Sequence, residues 1–250
     1  MIRFDFAGKR ILVTGASSGI GAAITKSLAD AGAEVIMVAR NAEKLASAAE
    51  SMGVNCYYTI DLSDVPSIGK KIEGIIKECG PLDGFVHSAG IGTVRPIKMC
   101  TYDYMKQMMD INFFSFIEIV RIITKKKNFH EGMSIVGISS VASQEGNQSK
   151  TGYCASKAAM DGAIRCLAKE LASKRIRVNS VMPGITRTAI FDQIMDNGGD
   201  SEDLKGILQR QYLGICEPKN IAATVSFLLS EEANYITGSS IPVDSGRLSS

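Results

Sequence analysis

Ile11-Leu12-Val13-Thr14-Gly15-Ala16-Ser17-Ser18-Gly19-Ile20-Gly21 decides the fold class of this 250-residue chain. Ile11-Leu12-Val13 is a short apolar run suited to a buried strand, and the residues after Gly21, Ala22 to Ala29, have the spacing of an amphipathic helix. Strand, glycine-rich turn and helix together form the context of a dinucleotide-binding fingerprint. Gly15 allows the tight turn, Gly19 lets the backbone approach a pyrophosphate, and Gly21 lets the helix pack close to the sheet. The free amides at the start of that helix favour the anion.

Apolar, β-branched runs follow the first strand near 34–39, 54–59, 83–87, 133–139, 176–181 and 240–243. Helical periodicity falls near 20–31, 42–52, 64–78, 101–127, 150–173 and 218–230, with two shorter helices within 188–212. This alternation predicts one α/β domain over residues 1–250, a doubly wound parallel sheet with helices on both faces. Ligands then bind at the carboxyl ends of the strands.

Tyr153 and Lys157 are the second signal. Residues four apart share a helix face, so a phenol and an ammonium sit side by side. A cation about 5 Å away, at an effective dielectric near 20, favours the phenolate by roughly 3 kcal/mol, about two pKa units. That brings an otherwise inert phenol toward the range of general acid/base catalysis.

The spacing TGxxxGxG, followed by YxxxK, resembles the short-chain dehydrogenase/reductase family in its short single-domain branch. Further landmarks carry the resemblance along nearly the whole chain. These are Asp61, His87-Ser88-Ala89-Gly90, Asn112, Ser139-Ser140, and Pro183-Gly184 followed by Thr188. The resemblance implies a Rossmann-type seven-stranded sheet in the order 3-2-1-4-5-6-7. It also implies hydride exchange between a nicotinamide and a carbonyl or secondary alcohol, with Tyr153 as general acid/base. Lys157 would lower the phenol pKa and hold the nicotinamide ribose, and Ser140 would polarise the carbonyl. Asn112 would hold a water that relays protons.

Cofactor contacts implied in the same way come from Gly15, Ser17, Ser18, Gly19, Ile20 and Gly21 in the first turn. Ala89, Gly90, Tyr153 and Lys157 would line the middle of the site. Pro183, Gly184, Thr186 and Thr188 would sit beside the carboxamide, and Asp61 with Leu62 beside the adenine. Asp61 could equally cap a helix starting at Asp64. The second predicted strand ends in Ala39-Arg40, where NAD-preferring relatives place an acid. Arg40 offers a planar fork to a 2′-phosphate, which favours NADP(H) over NAD(H), although an exposed arginine indifferent to the phosphate also fits. His87-Ser88 departs from the family's Asn-Asn pair.

A net charge of +2 without a basic stripe argues against nucleic acid. No apolar stretch reaches the length of a membrane span and no secretory signal opens the chain, so a cytoplasmic protein is expected. Six cysteines without a CxxC pair, and only two histidines, give no metal site and no disulfide framework.

The substrate pocket is expected from the segment after Gly90, the loop 141–150 and a lid at 188–214. The lid carries Ile190, Phe191, Ile194, Met195, Leu204, Ile207, Leu208 and Tyr212. The resemblance includes 3-oxoacyl-thioester reductases acting on an acyl carrier protein, for which Lys125 to Lys127 and Lys174-Arg175 could form a docking surface. A reductase of a sugar, steroid or other small ketone is the alternative, and a non-catalytic NADP(H) sensor a third. The resemblance also implies a homotetramer or homodimer paired through the helices at 101–127 and 150–173, and apolar residues on several helix faces agree with that.

Overall fold

Seven parallel strands form the middle layer of the molecule: β1 (Arg10–Thr14), β2 (Glu34–Ala39), β3 (Cys56–Thr59), β4 (Leu82–His87), β5 (Phe129–Ile138), β6 (Arg177–Pro183) and β7 (Ser240–Val243). Their order is β3-β2-β1-β4-β5-β6-β7, as the resemblance implies. The computed structural model describes residues 4–188, 191, 206 and 208–249. Most of the expected lid, including Ile190, Ile194, Met195, Leu204 and Ile207, lies outside the described residues, as do most of the two shorter helices placed within 188–212.

Seven α-helices flank the sheet among the described residues: α1 (Gly19–Asp30), α2 (Ala42–Met52), α3 (Val65–Cys79), α4 (Tyr102–Met109), α5 (Ser115–Ile123), α6 (Thr151–Glu170) and α7 (Pro218–Leu229). Strand alternation divides the core in two, because successive side chains point to opposite faces. Leu12, Ile36 and Phe85 pack with Ile68 and Ile72 of α3, Phe116 of α5 and Met160 of α6. Their neighbours Ile11, Val13, Val35 and Val86 face Ile24 of α1, Leu45 of α2 and Val225 of α7. β1 pairs with both β2 and β4, so the chain reverses its winding direction beside the glycine turn. That reversal opens a crevice at the carboxyl ends of the strands.

Two expectations need correction, and a pair of free thiols is an addition to them. The helix expected over 101–127 is two α-helices joined by a π turn at Asp110–Phe114, and it ends at Ile123. The expected apolar surface for assembly is mostly absorbed by the chain's own core: Phe116, Ile119, Val120, Ile122 and Ile123 are buried, while Phe114 stays exposed. Cys56 and Cys79 come together, with sulfurs 3.2 Å apart beside the Tyr58 hydroxyl. Both are free thiols, and burial reinforced by Cys79 pushes Cys56 up to about 11. No helix among the described residues is long and apolar enough to cross a membrane.

Candidate active site

The first wall of the crevice is the turn from β1 into α1. A Cβ on Gly21 would fall 2.1 Å from the Gly15 carbonyl oxygen, so only glycine permits this approach of helix to strand. Gly15 is equally confined: at φ +67°, its added Cβ would meet the Ala89 backbone at 2.8 Å. Ser18 stands at the helix N-cap without a side-chain capping bond, so the first amides of α1 are left for another acceptor. This cradle of small residues and open N–H groups fits a pyrophosphate.

Beneath it, Thr14 Oγ1 lies 3.1 Å from His87 Nδ1 and accepts a bond from the Ala89 amide at 3.3 Å. The far His87 nitrogen meets the Ser115 hydroxyl at 3.4 Å. Complete burial, reinforced by the charge of Lys157, pushes His87 down to about 3 and keeps it neutral. His87 therefore supports the floor through neutral hydrogen bonds instead of reaching a ligand.

The opposite wall comes from the end of β5 and from α6. Ser140, Tyr153 and Lys157 share one cleft of about 440 Å³ with Gly15, Gly19, Gly21, Ala89, Gly90, Pro183, Gly184, Thr186 and Thr188. Ser18 and Ile20 line it as well. Ser17, Asp61, Leu62 and Arg40 lie outside it. Arg40, exposed at the carboxyl end of β2, is near enough to Asp61 for its charge to contribute to that carboxyl's lowered pKa. The larger causes are the amide and hydroxyl of Ser63, which donate to Asp61 at 2.9 and 2.8 Å. Asp61 thus closes a local turn and does not cap α3, which begins at Val65.

The electrostatics differ from the expected pairing. Burial raises Tyr153 above the usual phenol range, opposed by its hydrogen bond with Ser140. The ammonium of Lys157 is 5.9 Å from the Tyr153 ring centre and donates to the Ile138 carbonyl at 2.7 Å. Burial lowers Lys157 to about 8, with Asp161 acting against it. The expected lowering of the phenol by Lys157 is thus not found; burial outweighs the Ser140 hydrogen bond and favours the neutral phenol.

Asn112 stands in the π turn, fully buried. Its Oδ1 accepts from the Ile91 amide at 2.8 Å, and its Nδ2 donates to the Ile91 carbonyl and to the Ser156 hydroxyl, each at 2.9 Å. The π turn gives a local reason for this placement, since such turns often mark functional sites. These bonds clamp the Gly90–Gly92 segment to α6. Asn112 Oδ1 and Lys157 Nζ both lie close to Gly90, 3.2 and 3.4 Å from where a Cβ on it would stand.

Several contributing residues escape a reading of the sequence. Asp161 accepts from Ser139 at 2.9 Å and from Ser180 at 2.7 Å, tying α6 to β5 and β6. Its spacing of four from Lys157 was the available signal. Gln211, also buried, accepts from the Ile185 amide at 2.6 Å and fixes the segment after Pro183. Lys150 and Arg247 line the far end of the cleft. Lys125 to Lys127 and Lys174-Arg175 immediately precede β5 and β6. They therefore lie at the amino end of the sheet, away from the cleft, and do not form the expected docking surface beside the pocket.

Comparison with known proteins agrees with this architecture. A family model described as enoyl-(acyl carrier protein) reductase matches residues 15–247. An L-xylulose reductase of Caenorhabditis elegans is 40% identical over 97% of both chains. A 3-oxoacyl-(acyl-carrier-protein) reductase of Rickettsia felis is 35% identical over 98% of both. Among solved structures, L-sorbose reductase of Gluconobacter frateurii, complexed with NADPH and L-sorbose, superposes over the full length of both chains with a TM-score of 0.89 at 28% identity. A short-chain type dehydrogenase/reductase of Mycobacterium ulcerans gives 0.89 at 29% identity, covering 98% of this chain and 91% of that one.

Proposed function

We propose that this chain, which belongs to the short-chain dehydrogenase/reductase family, is an NADP(H)-dependent reductase of small polar ketones. The observation that carries the reading is the single cleft that sets Tyr153, Ser140 and Lys157 against the glycine turn. Gly15, Ser18, Gly19, Ile20 and Gly21 would hold the pyrophosphate, and Lys157 the nicotinamide ribose. A bound nicotinamide supplies the hydride.

The protein's own part is proton management and charge stabilisation. Tyr153, kept protonated by burial, gives its proton to the carbonyl oxygen as negative charge develops there. Ser140 donates to the same oxygen, and its own Oγ is fixed by the Ala142 amide at 3.2 Å. Asn112 acts as a positioning residue for Gly90 and the segment beyond it.

Arg40 supports NADP(H). It follows buried Ala39, is itself exposed, and shares an ion pair with no carboxylate among the described residues. The NADPH bound by the sorbose reductase accords with this choice. Two reductases of neutral sugars among the similar proteins favour a polyhydroxylated ketone. The thioester reading draws on the Rickettsia relative, but the basic clusters assigned to a carrier are at the wrong end of the sheet. Assembly into a homodimer or homotetramer, and a cytoplasmic setting, remain part of the proposal.

The test follows loss of reduced cofactor with a panel of ketoses and diketones, using NADPH and NADH in parallel. Turnover is expected with NADPH, at a lower KM than for NADH. Arg40→Asp should raise the KM for NADPH by at least about tenfold, since a charge-assisted bond to phosphate is lost. Binding of NADPH without oxidation across the panel would favour a sensor. An unchanged KM in the Arg40 variant would remove the basis for cofactor choice.

A further inference from the structure

We propose that the substrate carries an oxyanion, a carboxylate or a phosphate ester, a few carbon atoms from its reacting carbonyl, and that Lys150 receives it. The inference rests on the reductase reading and narrows its substrate class. Three charged side chains line the cleft among the described residues: Lys150, Lys157 and Arg247. All three are cationic, and no aspartate or glutamate lines it with them. Lys157 is held against the Ile138 carbonyl on the cofactor side. Lys150 and Arg247 therefore set the charge of the other end.

Lys150 stands at the N-cap of α6, three residues before Tyr153. Both side chains line the same cleft. Along α6 the order is thus Lys150, Tyr153, Lys157. The phenol lies between a cation directed to the cofactor and a cation directed to the rest of the substrate. A carbonyl oxygen held at Tyr153 leaves the next few atoms of the substrate within reach of Lys150.

What surrounds Lys150 distinguishes it from an ordinary surface lysine. It is half-buried and has no ion pair with a carboxylate among the described residues. Glu145, the acid of that neighbourhood, is shared by Arg247, at 3.0 Å from its Nε, and by Arg210 at 3.5 Å. Two arginines therefore share that carboxylate, and it does not line the cleft beside Lys150. Burial and the charge of Arg247 both push the Lys150 ammonium below its usual range. An incoming anion relieves both effects: it replaces lost hydration and screens a like charge. A neutral sugar relieves neither.

Two matched pairs, each differing in charge, test the idea with the full chain and saturating NADPH at fixed ionic strength. They are acetoacetate against methyl acetoacetate, and dihydroxyacetone phosphate against dihydroxyacetone. The charged member of at least one pair is expected to have a kcat/KM at least about tenfold higher. The pair that shows it tells carboxylate from phosphate. Lys150→Met should reduce the charged-to-neutral ratio by about tenfold through KM, and Lys150→Arg should restore most of it.

Equal kcat/KM within both pairs, or a preference that survives in Lys150→Met, would overturn the inference while leaving the reductase reading in place. If no ketone is reduced at all, that reading fails. Calorimetry with 3-hydroxybutyrate and glycerol 3-phosphate in the presence of NADP+ then decides the inference separately. Binding that is lost in Lys150→Met supports the anion site, and absence of binding to the unaltered protein overturns it.

Discussion

Replacing Tyr153 with phenylalanine is expected to lower turnover by about 10³-fold while leaving NADPH affinity within a factor of about two, in line with the loss of one general acid. The ring remains, so the packing of the wall and the van der Waals contact with Gly92 remain; an added Cβ there would sit 3.2 Å from the ring. Only the hydroxyl bonded to Ser140 disappears. Tyr153 and Lys157 together set the pH dependence. Tyr153 is raised by burial and stays protonated through neutral pH, so reduction should hold a plateau there. Lys157 has its pKa lowered to about 8, so its positive charge is lost as pH rises through that value. The rate constant kcat/KM for NADPH should accordingly fall above about pH 8, and it is measured directly from initial rates across pH 6 to 10 at constant ionic strength. Retained turnover in the phenylalanine variant would exclude Tyr153 as the acid.

The second large effect is structural. Gly21→Ala places a methyl group 2.1 Å from the Gly15 carbonyl oxygen, well inside contact distance. Neither partner is the end of a flexible side chain, so α1 must move away from the turn it follows. We expect a stability loss of about 3 kcal/mol or more, at the upper end of overpacking costs, read as a lower urea midpoint. NADPH binding should weaken at least about tenfold, because the amides of α1 move with the helix. Gly53→Ala is the control. Gly53 ends α2 at φ +66° with nothing within 4 Å of an added Cβ. Its cost is backbone strain alone, about 1 kcal/mol. Equal losses in the two variants would show that the contact between α1 and the turn does not matter.

How much of this was legible in the sequence depends on the range of each interaction. Gly15, Gly19 and Gly21 announce themselves because turn, strand and helix are contiguous. Tyr153 and Lys157 do so because a helix fixes the relation of residues four apart. Strand order came from family resemblance, since no local pattern encodes which strands pair. The π turn at Asp110–Phe114 is invisible to a periodicity argument, because a single widened turn barely shifts the phase of an apolar stripe. β5 begins at Phe129, earlier than expected, because His130-Glu131-Gly132 carry no apolar signal and the β4–β5 register shifts beside them.

The errors in the site have a common cause. The expected lowering of Tyr153 by Lys157 is not among the causes of its shift, which is upward, because the burial of the phenol could not be weighed from sequence. His87 looked like a departure from pattern, yet its two hydrogen bonds tie β1 to α5 beneath the cleft. Glu145 and Arg247 pair across about a hundred positions of sequence, a separation of 102 residues. No spacing rule reaches that far. The misplaced docking surface is different, since Lys125 to Lys127 precede a strand whose carboxyl end carries the site. The alternation of strands already placed those lysines on the far side.

The most direct test of the central claim is a crystal structure of the protein with NADP+ and a substrate ketone or alcohol. The nicotinamide is expected between Pro183-Gly184 and Tyr153, the 2′-phosphate on Arg40, and the substrate oxygen within about 3 Å of both Tyr153 Oη and Ser140 Oγ. A nicotinamide bound away from α6, or a substrate oxygen out of reach of Tyr153, would contradict that claim.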